Sequence, residues 1–168
     1  MSRALGEIVV LDMTTGFWSS LGVALLADFG ARVIKIETLP DARNRRSLLT
    51  DREPSTPWDY KFELANRNKL SLAVDPTDKQ GGEILRALAQ QVGVIVTDRP
   101  PSFLEQADLS YAAVTRVKPD VIYVGASGFG PKGPDRDLPA IDELAAARTG
   151  MMPILPQPGE PPVYAGVG

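Results

Sequence analysis

The feature that most constrains the fold is an alternation of short β-branched apolar runs with segments of helical periodicity. Ile8–Leu11 is continuously apolar, and Arg32–Glu37 forms a second strand-like run further along the chain. Between them, large apolar residues recur at helical spacing from Leu21 to Phe29. A strand, a helix and a second strand joined in this way place the two strands parallel, and continuously apolar strands are covered on both faces. The sequence therefore predicts an α/β fold with an open, mostly parallel sheet.

Later segments extend the same pattern and show no internal repeat. Three more runs predict strands, which brings the expected total to about five: Leu70–Val74, Val92–Val96 and Val121–Val124. Candidate helix caps are Ser19 with Gly30 for the first helix, Asp75 with Pro76 for a helix ending near Gln91, and Asp142 for a helix ending at Arg148. Residues 103–117 are predicted to be helical in pieces.

Residues 38–68 are predicted to be a long loop excursion with short helical turns, because their periodicity is weak and prolines interrupt them. Loops of this length are usually functional or contact another chain. The segment holds Arg43, Arg45 and Arg46, which have two interpretations. Guanidinium groups suit phosphate, but acidic neighbours also make the segment an ordinary solvated mixture, and the second interpretation is favoured.

Composition excludes several kinds of chemistry. The chain has no His and no Cys, which excludes Ser-His-Asp triads, thiolate metal sites and cysteine nucleophiles. No metal site is therefore assigned, and the remaining reactive groups are carboxylates, Lys, Tyr, hydroxyls and backbone amides. The net charge of −3 argues against general nucleic-acid binding. The apolar runs are too short to span a bilayer and there is no signal-peptide pattern, so we expect no membrane partner and a cytoplasmic protein.

The turn after the first strand is a candidate nucleotide site. Residues 12–19 contain one glycine, Gly16, whereas the dinucleotide fingerprint G-x-G-x-x-G needs three, so standard NAD or ATP binding is disfavoured. The turn nevertheless follows a strand of an open α/β sheet, where ligands bind. Phe17 and Trp18 are two large aromatic residues that could stack on a base. The alternative is that both simply pack under the helix.

Several segments, taken in order, resemble the family III CoA-transferases, also called the CaiB/BaiF group. Leu25–Ala31 followed by Val33–Glu37 is similar to the family pattern LLADLGA-V-IKVE. The remaining similar segments are Asn66–Leu72 (family NRNKRSL), Asp98–Pro101 (often N-F-R/G-P), Ser127–Pro134 (SGFGQ-GP), Pro139–Asp142, and Gly159–Val163 (GPPV). The order and spacing of these segments carry the resemblance more than any one of them.

The resemblance implies a Rossmann-like large domain that is assembled from both ends of a longer chain. Residues 1–168 would be the N-terminal part of that domain, and the sheet would be incomplete. Members usually form interlinked dimers, so a homodimer or association with a CoA-transferase partner chain is expected. The implied substrates are an acyl-CoA and a carboxylic acid acceptor, with coenzyme A bound as a substrate and no covalently bound cofactor.

The resemblance also implies a mechanism in which one Asp attacks the acyl-CoA thioester and becomes a covalent intermediate. By the family's spacing this Asp falls about three positions beyond Gly168. No catalytic residue is therefore assigned within the chain, and the 168 residues alone are expected to be inactive. Asp12, Asp75 and Asp142 are interpreted as structural residues or helix caps.

The resemblance carries over a coenzyme-binding set: Gly16, Phe17, Trp18, Val74, Asp98 and Arg99. Some of these side chains depart from the family pattern. Asp98 replaces an amide with an anion near a phosphate-rich ligand, which is unfavourable unless Arg99 offsets it. Thr77 stands where some members place a Lys.

These departures keep an alternative open, a degenerate, non-catalytic subunit or domain that supports an active partner. A further alternative is an acyl-CoA racemase or isomerase of the sister branch. That activity needs a His at the position of Ile141, which cannot move a proton, so it is disfavoured. The acyl group is not identifiable from these residues.

Overall fold

A computed structural model describes residues 3–38, 60–139, 141–152 and 160–164. The described chain falls into two compact units, residues 1–126 and residues 127–168. Within the described ranges there are five strands and six helices. In chain order they are β1 (Val9–Met13), α1 (Phe17–Asp28), β2 (Arg32–Glu37), α2 (Tyr60–Asn66), β3 (Lys69–Ala73), α3 (Lys79–Ala89), β4 (Val94–Thr97), α4 (Pro101–Gln106), α5 (Tyr111–Val117), β5 (Ile122–Gly125) and α6 (Asp142–Arg148).

The five strands form one sheet in which every neighbouring pair is parallel. The strand order is β3-β2-β1-β4-β5, the order of the first five strands in the doubly wound α/β fold. β1 lies at the centre, and its Leu11 is in register with Ile34 of β2 and Ile95 of β4. The predicted α/β class with an open, parallel sheet is confirmed.

Both faces of the central strands β1, β2 and β4 are covered, as the continuous apolar runs predict, whereas the edge strands β3 and β5 are largely exposed. On one face, Leu11 and Ile95 pack with Leu85 of α3, Leu104 of α4 and Val114 of α5. On the other face, a second group of buried residues joins the sheet to α1, and it contains Val10, Val23, Ala27, Val33 and Val96. Because side chains alternate between the faces of a strand, neighbours in β1 such as Val10 and Leu11 belong to different groups.

Helix α1 begins earlier than predicted and ends where predicted. Its N-cap is Gly16, so the expectation that Ser19 caps the helix is wrong, and Ser19 lies inside the first turn. At the other end, Gly30 has a φ of 104°, a conformation that favours glycine. The N–H of Gly30 bonds to the carbonyl of Ala27, and the N–H of Ala31 bonds to that of Leu26. This pair of bonds is a Schellman motif, which fixes the exit of the chain toward β2.

Two other predicted caps are wrong. The cap of α3 is Asp78, whose carboxylate accepts from the N–H groups of Gln80 and Gly81. Asp75 instead accepts from the N–H and hydroxyl of Thr77, so it closes a turn before the helix and Pro76 lies outside the helix. For α6 the N-cap is Ile141, and Asp142 is the first helical residue. Although it is not the cap, Asp142 lies at the N-terminus of α6, where the helix dipole is positive.

The predicted excursion over residues 38–68 is described only in part. Its last section contains the seven-residue helix α2, which packs against α1. Residues 39–59, with Arg43, Arg45 and Arg46, lie outside the described residues. The prediction that residues 103–117 are helical in pieces is confirmed by α4 and α5. Across the described ranges, no helix combines the length and the apolar character that crossing a bilayer requires.

Two helical glycines predict opposite effects of the same substitution. A Cβ added at Gly81 would lie 1.8 Å from the backbone oxygen of Asp75, so Gly81→Ala forces the turn and α3 apart. A Cβ at the exposed Gly22 of α1 meets no described atom within 4 Å. Urea unfolding should show Gly22→Ala stabilised by about 0.5–1 kcal/mol and Gly81→Ala destabilised by at least about 1 kcal/mol. Equal effects of the two substitutions would contradict the close approach of α3 to Asp75.

Candidate functional site

The loops that follow β1 and β4 meet at the carboxyl edge of the sheet. From β1 the chain runs to β2 and β3 on one side, and it then returns to β4 on the other side of β1. The crevice between β1 and β4 is therefore the topological switch point, where open α/β sheets bind ligands. Five of the six residues predicted to bind coenzyme lie in these two loops or directly after them, namely Gly16, Phe17, Trp18, Asp98 and Arg99.

Asp98 bridges the crevice by accepting hydrogen bonds from the start of α1. The N–H of Thr15 lies 2.8 Å from Asp98 Oδ1, and the N–H of Gly16 lies 2.7 Å from Oδ2. The hydroxyls of Thr15 and Ser19 also donate to this carboxylate, at 3.0 Å and 2.5 Å. Gly16 itself provides no side-chain cap, so a residue from the loop after β4 caps the helix.

Phe17 and Trp18 differ in exposure. Their rings meet edge to face, with centroids 5.0 Å apart. Phe17 is half-buried, whereas Trp18 is 72% exposed. The alternative that both aromatic residues pack under the helix is therefore wrong for Trp18, whose side chain in the first turn of α1 is largely exposed.

Arg99 and Val74 occupy different surroundings. The guanidinium of Arg99 lies 5.1 Å from the centre of the Phe103 ring, and the backbone N–H of Arg99 donates to the hydroxyl of Thr97. Val74 follows β3, which is separated from β1 by β2, and its half-buried side chain packs against the core. With neighbouring strands about 4.8 Å apart, only an extended ligand lying along the edge would contact both Val74 and the crevice.

A buried charged cluster lies beneath the β1–α1 turn, and it consists of Asp12, Lys35 and Lys69. Asp12 has no exposed surface, and Lys35 is its register partner on β2. The Lys69 ammonium lies 2.7 Å from Asp12 Oδ2, and the Lys35 ammonium lies 3.5 Å from Oδ1. One carboxylate is therefore shared by two ammonium groups, which leaves the cluster with one surplus positive charge.

Neighbouring polar groups satisfy the remaining hydrogen bonds of the cluster. Lys69 donates to Ser20 O at 2.8 Å and to Asn66 Oδ1 at 3.1 Å in addition to Asp12, so all three of its protons are used. Lys35 donates to the backbone carbonyl of Thr14 and to its hydroxyl. Thr14 in turn donates from its N–H and its hydroxyl to Asp12 Oδ1. The cluster thus fixes the residue that precedes the crevice loop.

The electrostatics of the cluster depend on Asp12. Burial lowers the pKa of Lys35 and of Lys69 below the usual lysine value, and the charge of Asp12 opposes this shift at both residues. The charge of Asp98 also favours the protonated form of Lys35. Removing Asp12 would therefore leave two buried cations without their main counter-ion.

The segment Asn66–Lys69, which carries part of the family resemblance, connects α2 and β3 to α1. Arg67 Nε lies 3.1 Å from Asp28 Oδ2, and the Asn68 side chain donates to Asp28 Oδ1 at 2.8 Å. Asn68 has a φ of 61°, a left-handed conformation that asparagine tolerates better than most residues. With Lys69 bound to Asp12, the described contacts of this segment stabilise the turn and both ends of α1.

The cluster was missed as a unit by reasoning from the sequence, although one signal points to it. Asp12 was expected to be structural, but its two cations were not identified. Lys35 stands inside the apolar run Val33–Ile36 of a strand that is covered on both faces. A Lys in such a position is rarely buried without an anionic partner, and Asp12 is the acidic residue of the preceding strand. Among the residues that the structure describes, no group of acidic side chains is arranged to hold a metal ion.

Comparisons with known proteins agree with this architecture. The family model described as CoA-transferase family III matches residues 5–168. An acyl-CoA transferase from Fusarium pseudograminearum is 30% identical over 171 residues, an alignment that covers 98% of this chain and 38% of the relative. Succinyl-CoA:glutarate CoA-transferase from Mus musculus is 32% identical over 160 residues, with 95% of this chain and 36% of the relative covered. The chain therefore spans less than two fifths of the length of these two relatives.

Solved structures give the same result. A crystal structure of the hypothetical protein Rv3272 from Mycobacterium tuberculosis superposes with a TM-score of 0.80 and 30% identity. This superposition covers 96% of this chain and 44% of the other. A CaiB/BaiF family protein from Brucella suis, 24% identical with a TM-score of 0.72 over 99% of this chain and 44% of the other, shares the fold.

The charge balance of the cluster predicts an asymmetry between two substitutions. Asp12→Asn leaves two buried ammonium groups without an anion and should cost about 3–5 kcal/mol of unfolding free energy. Lys35→Met keeps the Asp12–Lys69 pair and leaves only the Thr14 carbonyl and nearby hydroxyls without a donor, which should cost roughly 1–3 kcal/mol. Urea unfolding monitored by circular dichroism measures both values. A Lys35→Met variant as unstable as Asp12→Asn would contradict the role of Asp12 as the shared counter-ion.

Proposed function

The chain belongs to CoA-transferase family III, and on that premise we propose that it provides the coenzyme A-binding N-terminal part of an enzyme that transfers CoA between carboxylic acids. Curated relatives with this activity use different acids, among them glutarate and oxalate, as their names state. The proposal therefore extends to the class of reaction and leaves the acid open.

The observation that carries the proposal is the exposed aromatic residue at the switch-point crevice. Trp18 is 72% exposed at the first turn of α1, beside the place where open α/β sheets bind nucleotides. The flat face of an indole ring stacks well on a purine base. In the proposed complex Trp18 contacts the adenine of CoA, Gly16 and Phe17 shape the turn beside it, and Arg99 and Val74 line the carboxyl edge.

The proposed chemistry is a covalent double displacement. An Asp carboxylate attacks the acyl-CoA carbonyl, which forms a mixed anhydride and releases CoA as a thiolate. The thiolate then attacks the carbonyl of the enzyme's own carboxyl group, which releases the first acid and leaves an enzyme–CoA thioester. The acceptor carboxylate attacks this thioester to form a second anhydride, from which the thiolate makes the new acyl-CoA. The part played by this chain is to bind and orient the coenzyme.

Carboxylates at the crevice are poor candidates for the nucleophile. Asp12 has no exposed surface and is bound by two ammonium groups. Asp98 accepts from two backbone N–H groups and two hydroxyls, which lowers the nucleophilicity of its oxygens. The proposal therefore keeps the nucleophile outside these residues, at the position about three places beyond Gly168 that the resemblance implies.

A second candidate function is a non-catalytic subunit or domain that supports an active partner. The observation in its favour is Asp98, because an anion occupies the donors at the start of α1 where an amide is common in the family. The residue at the expected nucleophile position discriminates between the candidates, since an Asp there favours transfer and any other residue favours the supporting role. Two-base racemisation has no such support, because Ile141 offers no acid or base.

Binding of CoA by the 168-residue chain tests the coenzyme site. At a hundredfold excess over Kd, CoA should stabilise the folded chain by about 2.7 kcal/mol, seen as a rise in Tm. Trp18→Ala removes the stacking face and should weaken binding roughly tenfold to hundredfold, whereas Trp18→Phe should retain most of it. Tyr111→Ala, which removes another exposed aromatic ring on α5, is the matched control and should bind CoA normally. If millimolar CoA does not raise the Tm of the folded chain, the proposal is refuted.

Turnover by the same chain tests the location of the nucleophile. Purified protein that binds CoA should transfer no CoA from succinyl-CoA to glutarate, because the Asp that forms the covalent intermediate is expected outside these residues. Product formation is followed by liquid chromatography. Sustained CoA transfer that disappears when the protein is denatured would contradict the assignment of the chain to a binding role alone.

A further inference from the structure

Four hydrogen-bond donors at the start of α1 converge on one carboxylate. They are the backbone N–H groups of Thr15 and Gly16 and the hydroxyls of Thr15 and Ser19, and all are within 3.0 Å of an Asp98 oxygen. Donors of this kind at a helix N-terminus ordinarily bind phosphate or carboxylate groups. In this chain they are occupied by a side chain from the opposite side of the crevice.

The charge beneath the turn gives an independent reason for an anion at this position. Lys35 and Lys69 carry two positive charges, and Asp12 supplies one negative charge. Lys35 donates to the carbonyl of Thr14, and the N–H of the same peptide group, that of Thr15, donates to Asp98. The peptide is therefore polarised from the buried cation toward Asp98, whose negative charge also favours the protonated form of Lys35.

The turn is closely fitted to this carboxylate. A Cβ added at Gly16 would lie 3.2 Å from Asp98 Oδ2 and 3.2 Å from Ser19 Oγ, so little space remains around the occupied donors. A phosphate group brought to the same donors would meet the Asp98 carboxylate at close range, where like charges repel strongly. Phosphate and Asp98 therefore compete for one position.

We propose that Asp98 is a specificity-determining residue of the coenzyme site, and that its carboxylate excludes the phosphate groups of CoA from the β1–α1 turn. This inference rests on the proposed function. The coenzyme then binds at the crevice with its adenine near Trp18 and its pyrophosphate outside the turn. The exclusion separates this chain from nucleotide-binding sheets in which the first turn itself holds the pyrophosphate.

The test compares pyrophosphate binding by the wild-type chain and by Asp98→Ala at constant ionic strength. Inorganic pyrophosphate should bind the wild type weakly, because its donors are occupied. Asp98→Ala frees four donors above a cluster with a surplus positive charge, and its affinity for pyrophosphate should rise at least about tenfold. Isothermal titration calorimetry measures both affinities. Adding Ser19→Ala to Asp98→Ala should reduce the gained affinity, which locates the bound anion at the turn.

Asp78→Ala is the matched control. Asp78 caps α3 by accepting from two backbone N–H groups, so its removal also opens a helix N-terminus. Within the described residues, the N-terminus of α3 has no counterpart of the two hydroxyls or of the Lys35–Lys69 cluster beside the α1 turn. Asp78→Ala should therefore gain little affinity for pyrophosphate. An equal gain in both variants, or no gain in Asp98→Ala, would overturn the proposal.

Loss of folding does not remove the test. If Asp98→Ala unfolds in plain buffer, pyrophosphate should restore its circular dichroism, because a ligand that binds only the folded state shifts the equilibrium toward it. Failure of this rescue counts against the proposal. The outcome is separate from CoA binding: pyrophosphate bound by Asp98→Ala, with no CoA bound by the wild type, would refute the proposed function and support the exclusion. If the wild type binds CoA and Asp98→Ala gains no affinity for pyrophosphate, the proposed function is supported and the exclusion of phosphate by Asp98 is refuted.

Discussion

The carboxyl edge of the sheet depends on one buried carboxylate at the end of the central strand. Asp12 holds two ammonium groups that come from β2 and β3, and through Thr14 it fixes the chain at the point where it leaves β1. A buried charge is costly unless it is paired and hydrogen-bonded, so these groups are stable only together. Their geometry is therefore tightly determined, and the turn they support has little freedom.

The second constraint acts across the crevice. The topology places the loops after β1 and β4 side by side, and Asp98 joins them by capping α1. The two carboxylates share one electrostatic system, because the charge of Asp98 also favours protonated Lys35. The end of β1 and the loop after β4 are thus parts of one arrangement, in which Asp12 is bonded to the turn on its buried side and Asp98 is bonded to it from across the crevice.

Much of the architecture follows from local sequence. The run Ile8–Leu11 and the alternation at Arg32–Glu37 predicted two strands of the parallel sheet, and Gly30 marked the end of α1 correctly. The start positions of helices were predicted less well. Asp75 and Asp78 both satisfy the local rules for a cap, and in the structure Asp78 is the cap while the backbone of Asp75 lies close against Gly81.

The candidate site, too, has features that the sequence predicts and features that only the structure shows. Residue types and their order were enough to predict the fold class and the family, because these depend on periodicity and on motifs within short segments. The partners of Asp98, the exposure of Trp18 and the sharing of Asp12 between two lysines were decided only by the tertiary structure. Each of them joins residues far apart in the chain, such as Asp98 with Gly16 and Lys69 with Asp12, and the distances between such groups are set by strand order and register rather than by any local pattern.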